Sequence, residues 1–138
     1  MNDTIYWAVK LDGASKALLL NKHPPIHGNV FAEHMTIVFK PSDLEEADLE
    51  LVLGLTCPIT VIGEAHDGNG QAVMVECDKL KSILPSTPHI TISCAHGTKP
   101  VYSKTLLQAG FNPIAPFALV GKIAKFTKRG WIDDRHSP

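Results

Sequence analysis

Two short stretches of this chain could do chemistry: His34-Met35-Thr36 and His89-Ile90-Thr91, the same pattern repeated 55 positions apart. Each sits in an apolar, β-branched run that reads as a strand, where residues two apart point the same way, roughly 7 Å along the chain. A His and a Thr so placed project together from one face. Imidazole titrates at about 6.5 when unperturbed, so it can give or take a proton near neutrality. The Thr hydroxyl can donate to a nonbridging phosphate oxygen. In-line displacement at phosphorus needs a base on the attacking oxygen and an acid on the leaving one, on opposite sides. Two histidines supply both without a metal or cofactor. One His-x-Thr pair in a strand is ordinary; two copies followed by matching residues, His-apolar-Thr-Ile, argue for a shared site.

The elements that must hold these pairs can be read around them. Ile5 to Leu11 is a strand, broken by Asp12-Gly13, and Ala14 to Lys22 a short helix stopped by Pro24 and Pro25. His34 to Phe39 is a strand with His34, Thr36 and Val38 on one face. Ser42-Asp43-Leu44-Glu45 is a capping box, and Leu44, Ala47 and Leu51 continue at helical spacing toward Gly54. Pro58 to Ala65 and Gln71 to Cys77 are strands joined by the turn His66-Asp67-Gly68-Asn69-Gly70. Asp78 to Leu84 is a short helix ended by Pro85 and Pro88, His89 to Cys94 a strand, and Tyr102 to Ala109 a helix capped by Gly110. Two further strand pieces, Phe117 to Gly121 and Ile123 to Thr127, precede Arg129-Gly130-Trp131-Ile132, and Asp133 to Pro138 reads as a frayed tail. Each His-x-Thr strand is followed by a loop and a helix, which predicts two half-domains facing across a groove.

Length and composition set the class. At 138 residues the chain reads as one domain, 1–138, with 44% apolar and 20% charged residues, those of an ordinary globular protein. A net charge of -1 offers no basic field for long duplex nucleic acid, although a local cationic patch suffices for a nucleotide or an RNA end. Cys57, Cys77 and Cys94 form no CxxC pair and read as buried free thiols in a reducing compartment. No apolar run reads as a signal peptide or a membrane span, so a cytoplasmic protein is expected. Oligomeric state leaves no mark on the sequence.

The two motifs resemble those of the 2H phosphoesterase superfamily. The better-marked stretch, Pro88-His89-Ile90-Thr91-Ile92-Ser93-Cys94-Ala95 followed by Gly97-Thr98-Lys99-Pro100-Val101 and Leu106-Leu107, is similar to the second motif of the myelin-type 2′,3′-cyclic-nucleotide phosphodiesterases and of the cyclic-phosphodiesterase domains of fungal tRNA ligases. Glu33-His34-Met35-Thr36-Ile37-Val38-Phe39 is similar to the superfamily in general. The resemblance implies an α+β, bilobal fold: two β-α lobes with antiparallel sheets around a central cleft. It implies a metal-independent hydrolase of the 2′,3′-cyclic phosphate of a nucleotide or RNA end. His34 and His89 would be the acid–base pair, with His34 the acid and His89 activating water, and Thr36 and Thr91 the phosphate ligands. Two alternatives stand beside it. One is cleavage of 3′,5′-linked cyclic di- or oligonucleotides, as in some compact phage members; the other is a non-catalytic cleft that holds nucleotides or RNA ends.

Five further residues are candidates for substrate contact. Tyr6 and Trp7 could stack on a base, worth about 1–3 kcal/mol, although strand alternation lets only one of them face the cleft. Lys40 and Lys99 lie just beyond the motif strands and could reach phosphate or sugar. Tyr102 follows the second motif where the related families form part of the pocket. His23 and His27 are spaced like helical metal ligands, but Pro24 and Pro25 between them forbid that helix, so no metal site is expected. His66 lies in a turn and His136 at the tail, and both read as exposed, while His96 follows the second motif closely.

Overall fold

The computed structural model describes residues 3–133. In chain order its elements are β1 (Thr4–Leu11), α1 (Gly13–Lys22), β2 (Asn29–Val30), β3 (His34–Phe39), α2 (Asp43–Glu50), β4 (Thr56–His66), β5 (Gly70–Glu76), a 3₁₀ turn (Asp78–Leu80), β6 (His89–Cys94), α3 (Tyr102–Ala109), β7 (Asn112–Thr127) and β8 (Gly130–Ile132). The fold is α+β, with every strand pair antiparallel. The sheet runs β1-β3-β6-β5-β4-β7-β8, and β7 also pairs β1, closing six strands into a barrel. Where two lobes with their own sheets were expected, one sheet is continuous through both motif strands.

Closure depends on β7. The two strand pieces expected at the tail are one 16-residue strand, pairing β4 through Asn112–Lys122 and β1 through Gly121–Thr127. Gly121 belongs to both ladders, opposite Cys57 and Leu11. A Cβ there would lie 2.5 Å from the Lys10 carbonyl oxygen and 2.7 Å from a Val9 methyl, so only glycine lets the strands approach.

Alternation along each strand fills the barrel: Trp7 and Val9, Met35 and Ile37, Val73 and Val75, Ile90 and Ile92 all point inward and are buried. Each such aliphatic side chain contributes roughly 1.5–3 kcal/mol by leaving water. The residues between them, Tyr6, Lys10, His34, Thr36, His89 and Thr91, therefore face outward. The three cysteines are buried free thiols, with Cys57 and Cys77 sulfurs 4.0 Å apart.

Two local expectations change. The capping box of α2 forms, Ser42 and Glu45 bonding each other's backbone amides, but its inward stripe is not Leu44, Ala47 and Leu51. Leu44 and Leu51 are 74% and 70% exposed, while Leu49 and Leu53 are buried. The helix turns this way because Glu46 reaches the barrel wall, accepting from Trp7 Nε1 at 2.5 Å and Thr4 Oγ1 at 2.8 Å and pairing with Lys125 at 3.2 Å. Satisfying those buried donors outweighs exposing two leucines. The helix expected over Asp78 to Leu84 shortens to the single turn Asp78–Leu80, in which only Leu80 is fully buried. Of the expected tail, residues 134–138, including His136, lie outside the described residues.

Candidate active site

The two motif strands are neighbours. β3 and β6 bridge at Met35 and Ile90, both fully buried against the core. That bridge sets the strand that carries His34 and Thr36 beside the strand that carries His89 and Thr91. The imidazoles and hydroxyls of the two motifs are each half-buried on this patch of the sheet. The charge of His89 is felt at His34, an independent sign that the imidazoles share one space. The chain reaches this patch through a kink. β2, Phe31 and Ala32 run along β6, with Phe31 and Ala32 amides bonded to the Ile92 and Thr91 carbonyls, and Ala32 turns at φ 53° into β3. A β-carbon in that left-handed conformation costs about 1–2 kcal/mol.

His34 sits against rings. Tyr6 stacks on it at 5.1 Å, Trp131 of β8 meets it edge-on at 5.5 Å, and Phe126 stacks on Tyr6 at 5.3 Å. Lys10, the cross-strand neighbour of His34, holds its ammonium 5.6 Å from the Trp131 ring. The His34 Nδ1 is buried without a hydrogen-bond partner among the described residues. Burial first, and the nearby His89 second, push the His34 pKa down to about 4. Charging this imidazole costs hydration that the rings do not replace.

His89 is held differently. Its Nδ1 lies 2.8 Å from the Thr87 carbonyl, and since a carbonyl only accepts, Nδ1 carries the proton and Nε2 is the free nitrogen. Burial lowers the His89 pKa, the Thr87 bond opposes that, and the charge of Lys104 on α3 lowers it further. Thr91 Oγ1 is 2.8 Å from the buried Ser103 hydroxyl and donates to the Pro100 carbonyl at 3.3 Å. α3 is docked there by Tyr102, whose hydroxyl donates to Asp67, the same carboxylate that closes the β4–β5 turn by accepting from the Asn69 and Gly70 amides.

Of the expected site residues, His34 lies near enough to His89 to feel its charge, and Thr36 and Thr91 lie on the same two neighbouring strands. Tyr6 adjoins them, but rings already stack on it at 5.1 and 5.3 Å, so a base stacked there must displace His34 or Phe126. Trp7 is fully buried on the opposite face and bonded to Glu46, which removes it as a stacking candidate. Lys40 lies past the far end of β3, its ammonium 5.5 Å from the Phe39 ring. Lys99 is exposed on the loop before α3, next to the Pro100 that Thr91 meets. Tyr102 serves as an α3 anchor through Asp67 and lies against Gly70 and Leu106. Sequence reasoning missed Lys10, Trp131, Ser103 and Lys104. Lys10 was within reach, since it shares the alternating face of Tyr6; the others are brought in by distant pairing.

Among the described residues no group of three or more His, Cys, Asp or Glu side chains converges as metal ligands, and no helix is long and apolar enough to cross a membrane. Compared with known proteins, the chain matches no family model and no curated protein.

Proposed function

We propose that this chain is a phosphodiesterase that hydrolyses the 2′,3′-cyclic phosphate of a nucleotide or RNA end by acid–base catalysis between His34 and His89, without a metal. The observation that supports this reading is the Met35–Ile90 bridge, which makes neighbours of the two strands that carry the His-x-Thr pairs.

In this mechanism Thr36 and Thr91 donate to the nonbridging oxygens, and Lys104 adds positive charge on the His89 side. A neutral imidazole takes a proton from water as its oxygen attacks phosphorus, and an imidazolium gives a proton to the departing 3′ oxygen. The products are a 2′-phosphomonoester and a free 3′ hydroxyl. The surroundings favour His34 as the base, because its aromatic jacket keeps it neutral, and His89 as the acid, because Thr87 steadies its charged form. This reverses the order implied by resemblance. Both groups are lowered, so the kcat/KM optimum falls on the acid side of 6.5 rather than around neutrality.

The test is incubation in EDTA with 2′,3′-cyclic AMP and, separately, with cyclic dinucleotides, resolving the products. Formation of 2′-AMP supports the reading. Cleavage of cyclic dinucleotides alone would reassign the substrate, and tight binding without turnover would leave a nucleotide-holding module.

A further inference from the structure

A cavity of about 320 Å³ lies at the end of β5 and the start of β6, and none of the rings around His34 lines it. Its lining begins at Pro88, the residue before His89, and at Met74, the cross-strand partner of His89 on β5. Those positions are about 4–5 Å from the His89 backbone. We propose that this cavity is a nucleobase subsite that takes a base bearing an exocyclic amino group.

The proposal rests on the phosphodiesterase reading of the histidine pair and adds where the nucleoside goes. If His89 protonates the departing ribose oxygen, the ribose lies on the His89 side and its base extends toward Pro88 and Met74. The size suits a base with part of its sugar, within the range of small-ligand pockets. Ile62, Leu84 and Pro85 supply apolar walls for the flat faces of a ring. Glu76 and Asp78 against the single ammonium of Lys81 give an acidic rim, which repels a phosphate but accepts hydrogen bonds from amino groups. Adenine, cytosine and guanine carry such a group, and uracil does not. The Pro85–Pro88 segment forms the outer wall, stiffened by its two prolines. The rings beside His34 offer no equivalent space, since Tyr6 is stacked by both His34 and Phe126.

Rates with the four nucleoside 2′,3′-cyclic phosphates decide the matter. The expected result is a kcat/KM at least tenfold higher for adenosine than for uridine 2′,3′-cyclic phosphate. Ser86→Trp, a substitution at an exposed position of the rim, should bring that ratio close to one, and Glu76→Gln should narrow it. Equal rates for all four bases, or an unchanged ratio in Ser86→Trp, overturn the subsite. Should no cyclic phosphate turn over at all, the phosphodiesterase reading fails, and adenosine titration followed by methyl NMR still reads the cavity. Saturable shifts at Met74 and Ile62, weaker with uridine, uphold a base site. Shifts absent from those methyls, or centred on Trp131, refute it.

Discussion

The strand that carries His34 lies against an aromatic wall, whereas the strand that carries His89 lies against a backbone carbonyl, a lysine and an open cavity. The two motifs read alike, and the difference comes from their neighbours in the sheet. β3 has β1 beside it, with Tyr6 and, through the β1–β7 closure, Phe126 and Trp131. β6 has β5 beside it and α3 above Thr91. A single repeated motif thus yields two imidazoles of unlike proton affinity, which is what a base and an acid working at one pH require. The aromatic wall packs directly on His34.

The largest effects should come from removing each imidazole. His34→Gln and His89→Gln should each lower kcat by about 10²–10⁴-fold, the usual worth of a positioned acid or base. The residual pH profiles sharpen the comparison. His34→Gln should lose the limb that rises from acid pH, and His89→Gln the limb that falls toward alkaline pH. The opposite pattern would restore the order implied by resemblance.

A smaller effect appears in stability. Above pH 6.5, His34 is neutral in both folded and unfolded chains and contributes no pH dependence. As pH falls from 6.5 toward about 4, the unfolded chain takes up a proton that the folded chain refuses, so stability is lost through that window. The loss is on the order of 3 kcal/mol, complete below about 4. Urea denaturation of wild type and His34→Phe at pH 7 and pH 4.5 measures it. The variant should lose distinctly less on acidification, and identical losses would contradict a desolvated His34.

Trp131→Ala should act on the same group by about one pH unit. Opening the wall lets water reach the imidazole, and its pKa rises from about 4 toward the 6.5 of a solvated side chain. The acid limb of kcat/KM moves up with it, while the limb belonging to His89 stays in place. NMR titration of the ring protons separates the two. No part of that wall could be read from the sequence, because residues 6, 126 and 131 meet only when the barrel closes. What was legible had a local signal. His34 to Phe39, His89 to Cys94 and Tyr102 to Ala109 form with the bounds expected, and the strands of the repeated His-x-Thr motif are neighbours in the sheet. The inward face of α2 was misread because Glu46, an acid, outcompeted two leucines for the barrel wall. β7 was split because Gly121 reads as a break, whereas in the sheet it admits a close approach.

The smallest effect separates the two threonines. Thr91 has one hydroxyl proton, and in the free chain it is shared between the Pro100 carbonyl at 3.3 Å and the Ser103 hydroxyl at 2.8 Å. To bind a phosphate oxygen it must swing outward, and its oxygen then needs another donor. The Ser103 hydroxyl, buried 2.8 Å from it, can be that donor, which makes Ser103 a positioning residue. Ser103→Ala should weaken the grip on phosphate by one neutral hydrogen bond, about 0.5–1.5 kcal/mol, or roughly a 2- to 10-fold rise in KM. The imidazoles are untouched, so kcat and the pH profile should hold, and Ser103→Thr, which keeps the hydroxyl, should recover most of the loss. A fall in kcat instead, or no recovery with Thr, would mean that Ser103 merely packs α3 against the sheet.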